Sequence, residues 1–91
     1  MPLFLISYDE HPQRDYTECY KLMAEWKAAK VLESLWLAEL AGPAEAIRNI
    51  VSATFAGSAS VAVIQLFPNG DWATAKGYNT GNKWLQTHMN L

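Results

Sequence analysis

Leu3-Phe4-Leu5-Ile6-Ser7-Tyr8-Asp9 is the stretch on which the fold turns. It is an apolar run that stops abruptly at a tyrosine and a carboxylate, with Pro12 three residues further on. Periodicity alone does not separate such a run from a buried helical segment, but its shortness and its charged end suit a strand covered on both faces. Read so, the strand delivers Asp9 to the rim of a sheet. Everything downstream is then a search for what covers that strand and what Asp9 faces.

The chain has 91 residues, the length of one domain with one core, so residues 1–91 are expected to fold as a single unit. Apolar residues make up 51% of it, with four Trp, four Tyr and three Phe, which requires a packed interior or surface shared with a partner. The formal net charge is -2, seven Lys and Arg against nine Asp and Glu. Such a balance gives no general attraction to phosphate, so nucleic-acid binding would need the cations gathered in one place. Cys19 is the sole cysteine and has no partner for an internal disulfide or a zinc cluster. No basic start precedes the first apolar run, and no run approaches the roughly 20 apolar residues that cross a bilayer. The expectation is a soluble protein of the reducing cytoplasm, without a membrane partner.

After Asp9, the polar, proline-containing segment 10–14 reads as a loop. Asp15, with Glu18 three residues later, offers a carboxylate version of the capping box. Tyr16, Cys19, Tyr20, Met23 and Trp26 then recur at helical spacing as one apolar face, with Cys19 a small buried hydrophobe. Val31 to Leu40 is the second strand region. It is either one long bent strand or two short antiparallel strands joined at Glu33-Ser34, a turn without the usual Gly or Asn. Gly42-Pro43 opens a second helix with the stripe Ile47, Ile50, Val51 and Phe55, and Gly57 is a left-handed stop. Ser60 to Phe67, β-branched and nearly continuous in apolar character, reads as a strand at the sheet centre. Pro68-Asn69-Gly70-Asp71 is a turn, and the alternation of Trp72 to Lys76 reads as a returning edge strand. Trp84, Leu85 and His88 place a short helix at the end of the chain. The element order is that of an α+β, ferredoxin-like βαββαβ sandwich with an extra C-terminal edge strand and a short terminal helix.

Three segments resemble the superfamily of CRISPR-associated protein two and virulence-associated protein D. These are the first strand ending in Tyr8-Asp9, the run Val31-Leu32-Glu33-Ser34-Leu35-Trp36, and the strand Ser60 to Phe67. In that family the region after the matching serine forms a hairpin, which favours two strands between Val31 and Leu40. The resemblance implies a homodimer in which Asp9 faces its symmetry mate. Two close carboxylates share a proton or hold a hard cation such as Mg2+. A magnesium ion there would activate water for cleavage of RNA or DNA, with Asp9 as metal ligand and catalytic carboxylate and Ser34 as a positioning hydroxyl. The dispersed cations and the unmatched C-terminal segment 77–91 depart from the family and speak for the alternative, a non-catalytic homodimeric scaffold or interaction module.

Other polar residues admit plainer readings. Glu10 and His11 beside Asp9 could complete a metal site, but neighbours on an extended chain point in different directions. His88 is a helix-end cation against the dipole, or simply exposed. The four Trp could stack bases, yet Trp26 and Trp36 fall on interior patterns, and Trp72 is expected as an exposed anchor between subunits.

Overall fold

The computed structural model describes residues 1–9 and 15–90. The expected loop at 10–14, with Glu10 and His11, lies outside the described residues. The fold is α+β: a four-stranded antiparallel sheet and three helices. In chain order these are β1 (Leu3–Asp9), α1 (Thr17–Glu25), β2 (Ala29–Leu32), β3 (Leu35–Glu39), α2 (Ala44–Ala53), β4 (Ser60–Leu66) and α3 (Asn79–Met89). The sheet order is β2-β3-β1-β4. Because β3 runs antiparallel to both β1 and β2, and β1 antiparallel to β4, helices α1 and α2 each link two parallel strands with a third strand between them. Two βαβ units are thus interleaved, and β1 is where they cross.

Alternation along β1 sorts the chain into two cores. Phe4, Ile6 and Tyr8 face α1 and α2, meeting Cys19, Met23, Ile47, Val51 and Phe55. Leu3 points the other way, into a second cluster with Val31, Leu37, Trp84, Leu85 and Met89 of α3. A strand buried on both faces needs apolar residues at both parities, which is why Leu3 to Ile6 shows no polar alternation. The expected stripes of α1 and α2 are largely realised, but Tyr20 and Ile50 remain exposed at the margins. Burial pushes the Cys19 thiol up, which leaves it an inert core residue.

The hairpin reading of Val31 to Leu40 is the one observed, with Glu33 and Ser34 between β2 and β3 and a register irregularity between Lys30 and Leu32. The capping box is not. Tyr16 holds the cap position of α1, while Asp15 accepts bonds from the backbone and hydroxyl of Thr17 and Glu18 pairs with Lys21 at 3.3 Å. Helix α1 closes on a left-handed residue that is not glycine, and α2 on Ala56 followed by Gly57, the expected left-handed stop. At Lys27 (φ 54°) the amide donates to the Ala24 carbonyl and that of Ala28 to Met23. At Ala56 (φ 52°) it donates to Ala53, and Gly57 (φ 79°) to Ser52.

Two expectations are corrected at the C-terminal side. Strand β4 is an edge of the sheet and not its centre: β1 lies on one side of it, and no described strand lies on the other. Trp72 to Lys76 is not a strand, so the extra edge strand is absent among the described residues. The physical reason is where the chain has to go. Beyond the Pro68–Asn69 turn, whose Asn69 has φ 69°, it crosses the sheet's second face to the opposite edge. There the Tyr78 amide donates to the Val31 carbonyl at 2.9 Å. A segment travelling across strands cannot pair along one. Trp72 is accordingly no exposed anchor; it packs against the second core and donates its indole N–H to Asn90 Oδ1 at 3.2 Å. The terminal helix is present, at 11 residues, and docks Trp84 as expected.

Candidate functional site

The sheet leaves its two edges in different states. The β2 edge is four residues long, kinked between Lys30 and Leu32, and tied by Tyr78 and by the Thr80 hydroxyl, which donates to the Lys30 carbonyl at 3.3 Å. Kinking, shortening and covering are the ways proteins blunt an edge. Among the described residues, the β4 edge has none of these. It is seven residues long and pairs with β1 without interruption, from Leu3–Leu66 to Asp9–Ser60. Its sequence, Ser-Val-Ala-Val-Ile-Gln-Leu, contains no charge, proline or glycine. Ile64 is 55% exposed on it, and Phe67 just beyond is 69% exposed.

At one end of this edge lies the pair of residues expected to carry chemistry. Asp9, exposed, sits opposite Ser60 in the β1–β4 register. Ser34 is brought near by the hairpin turn, where its carbonyl accepts the Tyr8 amide at 3.3 Å. The structure therefore gathers both at the same end of the sheet. A shallow hollow of about 160 Å³ beside Asp9 is lined by Ser7, Tyr8, Ser60, Val61 and Ala62. Among the described residues, no group of three or more His, Cys, Asp or Glu side chains is placed to hold a metal ion. Among the described residues, Asp9 is the carboxylate that one chain offers a hard cation at this end of the sheet.

Behind Asp9 the sheet is well ordered by aromatic contacts. Tyr8 meets Tyr16 and Phe55 at ring separations of 5.7 and 5.3 Å, and Trp36 Nε1 donates to its hydroxyl at 3.1 Å. Burial drives the Tyr8 pKa well above the ordinary tyrosine value, and the Trp36 hydrogen bond offsets only part of that. Tyr8 is thus a neutral core phenol, not an acid–base group.

His88 stands at the far end of the sheet. Its ring stacks on Trp84 at 4.2 Å, Nδ1 lies 3.0 Å from the Trp84 carbonyl, and Nε2 lies 3.2 Å from Glu39 Oε1. Both ring nitrogens face oxygen acceptors, so the residue clasps α3 to β3 and takes no part at the Asp9 end.

One cluster escaped the sequence reading altogether. The Lys30 ammonium lies 5.1 Å from the Tyr20 ring centre, 5.6 Å from Trp36 and 5.2 Å from Tyr78, and 3.6 Å from Glu33 Oε1. Tyr78 in turn donates to Glu33 at 2.8 Å. Burial opposes the charge on Lys30, but the Tyr20 phenol, Glu33 and the Tyr78 phenol together outweigh it and raise the pKa. In the sequence Lys30 is one of seven scattered cations; only the cross-strand pairing of Lys30 with Trp36 hints at an aromatic setting.

Comparisons with protein-family models, with curated proteins and with solved structures gave no match. Among the described residues no helix is long and apolar enough to cross a membrane.

Proposed function

We propose that this chain is a ferredoxin-like, homodimeric interaction module of the cytoplasm, assembled through the β4 edge and patterned like the superfamily of CRISPR-associated protein two. The ferredoxin-like assignment is supported by the two interleaved βαβ units and the order β2-β3-β1-β4. The single observation that carries the function is the contrast between the guarded β2 edge and the open β4 edge. An open strand is completed by another strand, and a second copy supplies one at no cost in charge. Antiparallel pairing about Val63 would set Ala62 against Ile64 and Val61 against Gln65, with no like charges opposed. A net charge of only -2 does little to resist it.

The test is the molar mass in solution by light scattering, for the native chain and for Ile64→Lys. Lysine on an edge strand disfavours a neighbouring strand, and position 64 is exposed, so the variant should fold as well and be monomeric. A native monomer at hundreds of micromolar, or a variant dimer as tight as the native one, would rule the edge out.

A second reading is favoured by the convergence of Asp9 and Ser34 at one end of the sheet. It is a weak Mg2+-dependent nuclease acting on RNA or DNA, with Asp9 and its symmetry mate holding the ion and Ser34 positioning the phosphodiester. The two readings require different dimers. With about 3.4 Å per residue along a strand and about 4.8 Å between strands, pairing the whole of β4 puts the two Asp9 residues roughly 25 Å apart. A shared cation needs them within a few ångströms. Magnesium-dependent cleavage that Asp9→Asn abolishes would therefore remove the β4 dimer as the active form.

A further inference from the structure

Two hollows adjoin at the C-terminal end of the chain, and they differ in character. The first is a cleft of about 390 Å³ between the sheet's second face, α3 and the crossing segment. Leu5, Leu35 and Leu66 form its floor, and Trp72, Leu85 and Met89 enclose it. The second, about 640 Å³ and more open, is lined by Asn69, Gly70 and Asn90. Asp71, Trp72 and Met89 belong to both. An apolar compartment and a polar one thus meet at Asp71, Trp72 and Met89.

We propose that this pair of hollows is a binding site for a primary amine carrying an apolar tail. The tail lies in the cleft against Leu5, Leu35 and Leu66, and the ammonium meets Asp71 where the compartments join. The cleft's volume falls within the roughly 300–1,000 Å³ usual for small-molecule sites, and its walls have the apolar majority and few polar groups of such sites. Asp71 decides the head group. Its side chain has no ion pair or hydrogen bond among the described residues, so a neutral or anionic occupant that covered it would leave an unpaired charge in a drying site. An ammonium removes that penalty, and Trp72, which lines both hollows with Asp71, adds apolar wall for the tail. The same argument turns away a second copy docking by its open edge, since β4 holds no cation to offer Asp71. The site stands on its own observations, whatever the oligomeric state.

The experiment is calorimetric titration of the full chain with n-octylamine, n-octanol and octanoate, all below micelle-forming concentrations. Octylamine should bind saturably, one per chain, at least tenfold tighter than octanol and tighter again than octanoate. Asp71→Asn should bring the amine down to the level of octanol while octanol binding persists, which shows that the variant is folded and its cleft intact. Ala73→Trp, at an exposed position lining the cleft, should weaken all three. The absence of saturable octylamine binding, octanoate binding as tight as octylamine, or an amine preference that survives Asp71→Asn would each overturn the proposal.

Discussion

Gly81→Ala is the substitution that examines how α3 is held. Gly81 lies in the first turns of α3 and is buried. A methyl group built on it would stand 2.6 Å from the Lys30 carbonyl oxygen, 2.6 Å from Val31 Cα and 2.7 Å from a Val31 methyl. The first two are backbone atoms of a hydrogen-bonded strand, so the strand cannot yield and the helix must. Withdrawal to ordinary contact lifts α3 by roughly 1 Å, loosening Trp84, Leu85 and Met89 from the second core. Overpacking of this kind costs about 1–3 kcal/mol. Alanine also favours the helix over glycine by about 1 kcal/mol. The net expectation is a loss of up to about 2 kcal/mol, worth several degrees in Tm for a domain of this size. Urea denaturation would give the magnitude, and amide hydrogen exchange the location: protection should fall at Tyr78, whose N–H reaches Val31, more than in β1. An alanine variant about 1 kcal/mol more stable than the native chain, with Tyr78 equally protected, would refute the close-approach argument, because that is the result helix propensity alone predicts.

Two further outcomes follow from features already described. Lys27→Gly and Ala56→Gly each place glycine at a left-handed helix end, relieving about 1–2 kcal/mol of steric cost against the greater freedom of the unfolded glycine. Each should stabilise by about 0.5–1 kcal/mol in denaturant titrations, and a loss at either site would contradict the assigned φ. Alkaline stability should depend on Tyr8: the folded phenol keeps its proton beyond the pH at which the unfolded one, near pKa 10, releases it. Unfolding then releases a proton, so Tyr8 stabilises fully below about pH 10 and its contribution fades as pH rises above it. Urea midpoints measured from pH 9 to 12 should fall more steeply for the native chain than for Tyr8→Phe; parallel curves would show that Tyr8 is not the titrating group.

Local signals in the sequence are reproduced well. The unbroken Leu3–Ile6 run, the stripes through Met23 and Val51, and the helical spacing of Trp84, Leu85 and His88 each report which faces a segment buries, and burial is a short-range pattern. The place of a strand within the sheet is not. Ser60 to Leu66 has the composition of a central strand, yet its outward face is exposed at Ala62 and Ile64, because α3 covers the half of the second face formed by β2 and β3. What decides this is the path after residue 67, and the alternation of Trp72 to Lys76 imitates a strand while holding no information about whether a partner is within reach. The same limit applies to the site. Asp9 and Ser34 could be named from pattern, but the Lys30 cluster joins α1, β2, β3 and the approach to α3, and no spacing in the chain encodes that meeting. Gly81 likewise reads as a mere helix weakener until the backbone of β2 is seen beside it.

The central position of β1 has a consequence for how the protein is made. Its two neighbours in the sheet lie far along the chain, β3 beginning at Leu35 and β4 at Ser60. At about 5–20 residues per second, translation needs roughly 3–10 s to pass from Asp9 to Ser60. Through that interval the strand most buried in the finished fold has at most one side paired. The helix–hairpin segment 17–39 can shield only the β3 side, and the other waits for β4. Conditions that slow elongation between these points lengthen the exposure, so yield of soluble protein should be governed by translation speed across 40–60 as much as by the stability of the finished fold.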